Sequence, residues 1–237
     1  MTDGQTLYLT GERTLPDIEE ERYWFARHVA GYRLAMEFCC ELPAAHVLDL
    51  GCGEGYGVDL LAQQGFDAVG VDIFESAARH ARRRYRASPF ACADAAALPF
   101  PDDSFDAVVS LQVIEHVPDP GRYLAEAARV IRPAGGFFVA TPNRLTFTPP
   151  GRPKNPFHIV EFSAGELSTL LAEFFDNVEV TGIGDAFPGL ADTLIDNAFA
   201  ATPPPSWASE TVAAVTPAAF GPVDDIDYCL DLIAACS

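Results

Sequence analysis

The chain has 237 residues, 49% of them hydrophobic, which is enough to build the core of one α/β domain. Its formal net charge of −19 argues against nucleic acid or an anionic membrane as a partner, and favours a neutral or cationic acceptor. The same charge is equally consistent with a general solubility feature. No segment is apolar for long enough to span a bilayer, so we expect a soluble, cytoplasmic protein.

Residues 1–45 are predicted to form a lid helix that precedes the first strand. The periodicity of E-R-Y-W-F-A-R-H-V-A-G-Y places Trp24, His28 and Tyr32 on one helix face. Tyr23, Trp24 and His28 are candidates for contacting an acceptor, because aromatic rings combine a stacking face with a polar edge. The alternative is that these rings only dock the helix on the core.

A glycine-rich turn follows at residues 47–57, V-L-D-L-G-C-G-E-G-Y-G. A short apolar strand that contains Asp49 leads into Gly51, Gly53 and Gly55, which is the pattern of a strand-to-helix turn at a ligand. Dinucleotide-binding proteins use the different spacing G-x-G-x-x-G. A carboxylate at this place would repel a pyrophosphate, whereas it suits an ammonium group.

Strands and helices then alternate, which predicts a doubly wound parallel sheet. The predicted strands are 47–50, 68–72, 89–92, 105–110 and 137–141, and the helices are 56–64, 75–86 and 120–132. Asp49 lies near the end of the first predicted strand and Asp72 at the end of the second, and Asp94 follows the third. Because parallel strands present their carboxyl ends at one edge, the three acids should lie along one rim.

This order of glycines and acids resembles the class I S-adenosylmethionine (SAM) methyltransferases. The resemblance implies a Rossmann-like doubly wound sheet of seven strands with the last strand antiparallel, and SAM as cofactor. The residues that it assigns to SAM, from the methionine end to the adenine, are Asp49, Gly51, Gly53, Gly55, Gln112, Asp72, Ile73, Asp94 and Ala95.

The remainder of the chain completes the predicted core, which we divide into 46–184 and 223–237. Residues 142–160 hold five prolines and predict a lid or binding loop. Ser163 and Glu166 predict a capping box for a helix that runs to about Phe175. Strand six is expected at 177–183, the stretch 185–222 is expected to be an inserted helical cap, and 228–235 should form the last strand in a hairpin with strand six.

Methyl transfer to a hydroxyl group needs a base, and His116 beside Glu115 is the candidate catalytic pair after the fourth strand. The alternative is that the pair anchors a helix and contacts SAM. Asn143 and His158 are candidates for acceptor binding. Glu115, His116 and His158 could instead hold Mg²⁺, although Gln112 stands where the metal-dependent O-methyltransferases carry an acid.

Several blocks also resemble a narrower group, the actinobacterial sugar O-methyltransferases, among them the mycobacterial sugar 1-O-methyltransferases of methylmannose polysaccharide synthesis. The blocks are T-G-E-R-T-L-P-D (10–17), Y-W-F-A-R-H (23–28), L-Q-V-I-E-H (111–116), T-P-N-R-L-T-F (141–147), N-P-F-H-I-V-E-F (155–162) and D-I-D-Y-C-L-D-L-I-A (225–234). The resemblance implies an oligosaccharide acceptor. A phenolic or quinone-like molecule, the mycofactocin glucose chain and a non-catalytic SAM-binding role stay as alternatives, and a homodimer stays open.

Overall fold

Eight strands form one mixed sheet in the computed structural model, which describes residues 14–43, 45–200 and 202–237. The strands are β1 (His46–Leu50), β2 (Asp67–Asp72), β3 (Phe90–Cys92), β4 (Phe105–Leu111), β5 (Ile131–Pro142), β6 (Val178–Asp185), β7 (Phe220–Pro222) and β8 (Asp231–Cys236). Their order across the sheet is β3-β2-β1-β4-β5-β8-β6-β7. The first five run parallel, and β8 is antiparallel to both β5 and β6. The predicted Rossmann-like methyltransferase fold is therefore confirmed.

Helices cover both faces of the sheet, as its almost continuously buried central strands require. They are α1 (Arg22–Glu41), α2 (Tyr56–Gln63), α3 (Glu75–Arg84), α4 (Pro120–Val130), α5 (Arg144–Phe147), α6 (Ala164–Leu171), α7 (Leu190–Ala200) and α8 (Ser206–Ala214). Their starts follow local chemistry: Asp119 caps α4, which has Pro120 as its first residue, and the predicted capping box of Ser163 and Glu166 begins α6.

The C-terminal part differs from the prediction in its strand count and pairing. The last strand begins at Asp231 rather than at 228, because Ile226–Tyr228 form a 3₁₀ turn. It lies between β5 and β6, so it is antiparallel to β6 but reaches it through a long connection rather than a hairpin. The end of the expected cap supplies β7, which pairs with β6 and makes an eighth strand. Helix α6 ends at Leu171, four residues earlier than predicted.

The segment 185–222 packs on the N-terminal helix rather than standing apart. Its helices α7 and α8 contribute Leu190, Ile195 and Ala208 to a buried cluster that also contains Tyr23 and Phe147. This cluster joins α1, α5 and the two cap helices beside the carboxyl edge of the sheet. Residues 1–13 of the predicted lid lie outside the described residues. Within the described ranges, no helix combines the length and the apolar character that crossing a membrane requires.

Candidate active site

A cavity of about 200 Å³ opens at the carboxyl ends of β1, β2, β3 and β4. This is the edge at which open parallel sheets bind ligands, because the loops that follow neighbouring strands diverge there. None of the described residues that line it is a lysine or an arginine. Its lining includes most of the predicted SAM-binding residues: Gly51, Gly53, Asp72, Ile73, Asp94, Ala95 and Gln112. We call it the cofactor cavity.

The glycine turn contributes Gly51 and Gly53 to the lining of the cofactor cavity, whereas Gly55, which was also predicted to bind the cofactor, packs against Ala81 and Phe90. Gly51, Gly53 and Gly55 have φ angles of 84°, 49° and 86°, in the left-handed region that glycine adopts without strain. A Cβ added to Gly53 would meet no protein atom within 4 Å, whereas one at Gly51 would lie 2.3 Å from a methyl group of Val113. Gly53 therefore leaves space on the ligand side, and Gly51 allows close packing of the β4 loop.

Asp72 and Asp94 are held by backbone amides at the wall of the cavity. The Asp72 carboxylate accepts hydrogen bonds from Gly53 N at 3.0 Å and Phe74 N at 2.8 Å. The Asp94 carboxylate accepts one from Ala96 N at 2.9 Å. Such bonds fix a carboxylate in the direction needed to accept hydroxyl or amino protons. With the open side of Gly53, these acids fit the ribose and adenine of SAM.

Asp49 lies deeper than the sequence suggested. It is fully buried, and the hydroxyl group of Tyr32 donates to both of its oxygens, at 3.2 Å and 3.0 Å. Tyr32, rather than Asp49, is among the residues that line the cavity. Burial raises the pKa of Asp49 to about 7, against the opposing effect of the Tyr32 hydrogen bond. Asp49 therefore adjoins the cofactor cavity only through the Tyr32 hydroxyl group among the described contacts, and its own contact with the cofactor stays a prediction.

A hydrogen-bonded group closes the cavity from the side of α1. His28 Nδ1 lies 2.7 Å from the Tyr56 hydroxyl, and the Thr14 hydroxyl lies within 3.2 Å of both groups. Burial lowers the pKa of His28 to about 3, so its ring is neutral at physiological pH. Sequence analysis missed Thr14 and Tyr56, although Tyr56 lies inside the glycine motif. It placed His28 and Tyr32 on one face, and both line the cofactor cavity.

A second cavity of about 480 Å³ adjoins the first, and four residues line both: Thr14, His28, Gln112 and His116. We call it the acceptor cavity. Its other walls come from α1 and the residue before it, from the turn after β4, from the segment 142–160 and from α7. They include the rings of Trp24, Phe147 and Phe157 and the polar groups of Glu21, Arg27, Glu115, Asn155 and His158.

His116 lies at the junction of the two cavities. Its Nδ1 atom is 3.0 Å from the carbonyl oxygen of Phe157, so this nitrogen donates and the neutral ring carries its lone pair on Nε2. Glu115 Oε1 is 3.9 Å from that Nε2. Burial raises the pKa of Glu115, whose other oxygen accepts from Thr141 at 3.0 Å.

The Glu115 backbone also anchors the acceptor-side loop, since its carbonyl accepts from Ile159 and Val160 at 2.7 Å and 3.1 Å.

His158 is held by two neighbours on the same loop. Its Nδ1 atom is 2.6 Å from a carboxylate oxygen of Glu161, and its Nε2 atom is 3.1 Å from the Asn155 amide nitrogen. Glu115, His116 and His158 do come together, with one ligand atom from each within 4.8 Å of the others. However, both His158 nitrogens are engaged in hydrogen bonds, so a metal would have to displace Asn155 to use Nε2.

Two of the predicted acceptor-binding residues lie away from the cavities. Tyr23 is fully buried, and its hydroxyl group donates to Asp185. Asn143 is also fully buried; it caps α5 through Leu145 N and donates to the carbonyl groups of residues 226, 227 and 229. Both side chains therefore hold the fold around the site. Trp24, His28 and His158 line the acceptor cavity, and their contact with an acceptor stays a prediction.

Comparisons with known proteins show the family of the chain. A family model described as a methyltransferase domain matches residues 48–139. A probable SAM-dependent methyltransferase of Mycobacterium tuberculosis is 45% identical over 96% of this chain and 88% of its own length. A similarly described protein of Mycolicibacterium smegmatis is 42% identical over 96% of this chain and 94% of its own. A ubiquinone biosynthesis O-methyltransferase of Coxiella burnetii is 37% identical over 44% of this chain and 46% of its own length.

Solved structures share the architecture. A SAM-dependent methyltransferase of Thermotoga maritima superposes with a TM-score of 0.63 at 23% identity, covering 92% of this chain and 94% of the other. That likeness is one of fold, whereas the two mycobacterial relatives extend over nearly the whole sequence. The chain belongs to the SAM-dependent methyltransferases.

Proposed function

We propose that the protein transfers the methyl group of SAM to a hydroxyl group of a saccharide, an oligomannoside or a related oligosaccharide. The observation that carries the proposal is the junction of the two cavities, where a histidine with its lone pair on Nε2 meets a space lined by aromatic rings. The saccharide rests on the sequence blocks that resemble sugar O-methyltransferases. The methyl-transfer activity itself follows from the family.

The acceptor cavity favours an uncharged molecule. Arg27 is the only lysine or arginine among its described lining residues, and its charge is already paired with Asp231. Glu21 and Glu115 add carboxyl groups to the same walls. A phosphorylated or carboxylated acceptor would meet no unpaired cation there, whereas hydroxyl groups can bond these polar side chains and the apolar face of a sugar can pack on Trp24.

The chemistry requires alignment and one proton transfer. SAM supplies an electrophilic methyl group with a good leaving group. The acceptor oxygen forms the new bond to the methyl carbon as the sulfur–carbon bond breaks, and the hydroxyl proton passes to His116 Nε2. Donation from Nδ1 to the Phe157 carbonyl orients the ring for this transfer. Glu115 is buried beside the ring, with its Oε1 atom 3.9 Å from the nitrogen that receives the proton.

A phenolic or quinone-like acceptor is the second candidate. The Coxiella relative, whose name places it in ubiquinone biosynthesis, favours this candidate, and so do the three rings in the cavity wall. Its match covers less than half of the chain, so the acceptor side is largely outside it. The mycofactocin glucose chain is a further saccharide candidate.

The test is methyl transfer from labelled SAM to separate probes, namely manno-oligosaccharides, gluco-oligosaccharides and a catechol. We expect the saccharide probes to carry the label and to gain about 14 Da, the mass of one CH₂ group. Label in the catechol alone would show that the acceptor is a phenolic molecule and not a saccharide. Binding of S-adenosylhomocysteine without transfer to any probe would favour a non-catalytic SAM-binding protein.

The base assignment is tested by His116→Ala. We expect S-adenosylhomocysteine affinity to stay within about twofold, while turnover falls about 10²-fold or more, the size of a general-base contribution. His46→Ala is the matched control, because His46 pairs with Asp67 at the opposite edge of the sheet. Turnover that survives in His116→Ala would show that another group takes the proton.

The alternative of a Mg²⁺ site keeps the same residues but predicts a different response to chelation. The clustering of Glu115, His116 and His158 is the observation that favours it. If His116 acts as a base without metal, EDTA should leave turnover unchanged. Loss of turnover in EDTA with recovery on adding Mg²⁺ would favour the metal site.

A further inference from the structure

A buried ion pair connects the two ends of the described chain. Arg27 in α1 and Asp231 at the start of β8 are 204 positions apart, and their side chains are 4% and 2% exposed. Arg27 Nε donates to Asp231 Oδ2 at 2.5 Å, and Arg27 Nη2 donates to Oδ1. Removing two charges from water is costly, so a buried pair is weak evidence for stability by itself. Its neighbours indicate another role.

The neighbour is Gln112, the first residue after β4. Its φ angle is 58°, a left-handed conformation that costs a residue with a side chain about 1 kcal/mol or more. Its Oε1 accepts from Arg27 Nη2 at 3.0 Å, and its Nε2 donates to Asp231 Oδ1 at 3.1 Å. The reversed amide would set donor against donor and acceptor against acceptor, so the ion pair defines the orientation of this side chain.

Gln112 is one of the four residues that line both cavities, so its conformation affects where donor and acceptor meet. Its backbone N–H donates to Ala140 O at 2.8 Å, which keeps it tied to β5. The guanidinium of Arg27 also lies 5.3 Å from the centres of the Trp24 and Phe147 rings, two walls of the acceptor cavity. Arg27 therefore contacts a residue of the junction and two of the acceptor walls.

We propose that Arg27 and Asp231 are positioning residues that hold Gln112 in its left-handed conformation and so preorganise the cofactor cavity. Neither Arg27 nor Asp231 is among the described residues that line the cofactor cavity, whereas Gln112 is. This inference depends on the SAM-dependence of the family and not on the saccharide acceptor proposed above. Its test needs no acceptor, so its failure and that of the proposed function are distinguishable.

The experiment is a double-variant cycle with S-adenosylhomocysteine binding measured by calorimetry. Arg27→Lys keeps the charge that Asp231 needs, but a single ammonium group cannot reproduce the fork that bonds both Asp231 and Gln112. Gln112→Leu removes both amide hydrogen bonds and keeps the ion pair. We expect each variant to weaken binding about tenfold, and the double variant also about tenfold, because the two changes disrupt one unit.

The matched control is Arg132→Lys, which alters an Arg–Asp pair at the opposite edge of the sheet, where Arg132 Nη1 lies 2.6 Å from Asp106. Its dissociation constant should match that of the unaltered protein. If Gln112→Leu does not fold, Gln112→Asn replaces it, since asparagine tolerates the left-handed region and its amide is one methylene too short to reach both partners.

Two results would overturn the inference. One is Arg27→Lys with a lowered melting temperature but a dissociation constant within twofold of the unaltered protein, which would make the pair purely structural. The other is a loss of about a hundredfold in S-adenosylhomocysteine affinity in the double variant. That loss would be the product of two independent effects, so Arg27 would act without Gln112.

Discussion

At the scale of single residues, the site combines glycines in the left-handed conformation with carboxyl groups that differ in burial and in hydrogen-bond partners. Asp72 is held by two backbone amides, whereas Asp49 is buried beneath Tyr32 with a pKa raised to about 7. Burial disfavours the ionised form of a carboxyl group, and a nearby ammonium group favours that form. Ligand binding and protonation of Asp49 should therefore be coupled.

The first prediction concerns this coupling. We expect the affinity for S-adenosylhomocysteine to weaken as pH falls below about 7, since binding must then remove a proton from Asp49. Asp49→Asn should bind more weakly at pH 8 and lose this pH dependence. Calorimetry at pH 6 and pH 8 measures both effects. Asp176→Asn, at an exposed position, is the control, and an unchanged pH dependence in Asp49→Asn would contradict the assignment.

The second prediction concerns the glycine turn. Gly53→Ala should lower the free energy of unfolding by about 1 kcal/mol, because its φ angle of 49° is strained for alanine. It should also weaken S-adenosylhomocysteine binding about tenfold, since the added methyl group enters the ligand side of the turn.

Urea unfolding and calorimetry give the two values for Gly53→Ala. The matched control is Gly165→Ala in α6, where a Cβ also meets nothing within 4 Å but φ is not positive. That variant should be at least as stable as the unaltered protein, because alanine has the higher helix propensity. Unchanged ligand affinity in Gly53→Ala would argue against the cofactor lying over this turn.

At the scale of elements, the site depends on how α1 and the segment 142–160 are fastened to the sheet. Helix α1 is joined to β8 by Arg27 and to β6 by Tyr23. The segment after β5 is joined to the approach to β8 by Asn143 and to the β4 loop by the Glu115 carbonyl. Buried polar side chains thus fix the elements that form the acceptor cavity.

The third prediction separates this fastening role from ligand binding. Asn143→Ala should lower the free energy of unfolding by roughly 2 kcal/mol, because it removes the cap of α5 and leaves buried carbonyl groups without their donor. S-adenosylhomocysteine affinity should stay within about twofold. Asn177→Ala, an exposed asparagine, is the control and should change stability by less than about 0.5 kcal/mol. Full stability of Asn143→Ala would contradict the role.

At the scale of the whole molecule, ionisation of Asp49 should shape the dependence of stability on pH. Its pKa is raised from 3.8 to about 7 on folding, so between these values the unfolded chain gives up a proton that the folded chain retains. The free energy of unfolding should therefore fall as pH rises from about 4 to about 7, by roughly 4 kcal/mol from this group.

The fourth prediction follows from that sign. Asp49→Asn should be more stable than the unaltered protein at pH 8, and the gain should shrink towards pH 4, where the native carboxyl group is also neutral. Chemical unfolding of both proteins across this range measures the difference, which cancels contributions from other titrating groups. A gain that does not vary with pH would show that Asp49 keeps an ordinary pKa in the folded state.

The amino-acid sequence alone was enough to predict the alternation of strands and helices, the glycine turn and two of the three acids at the cavity wall, Asp72 and Asp94, whereas Asp49 is buried behind Tyr32. These features are local, since a buried strand, a positive φ angle and a capping box depend on residues a few positions apart. The position of Glu115 and His116 just after β4 was also predicted from the sequence. The same local reasoning proposed Tyr23 and Asn143 as acceptor contacts, but both side chains are fully buried. A polar residue type in the sequence does not show whether its side chain is buried.

Only the tertiary structure showed which residues distant in the sequence contact one another. The position of β8 between β5 and β6, the Tyr32 hydroxyl over Asp49 and the clamp of Arg27 and Asp231 on Gln112 join residues distant in sequence. No spacing rule predicts such pairs, because they depend on how elements far apart in the sequence pack against one another. Short sequence motifs therefore predicted two glycines and two acids that line the cofactor cavity. The shape of the acceptor cavity depended instead on packing between the two ends of the described chain.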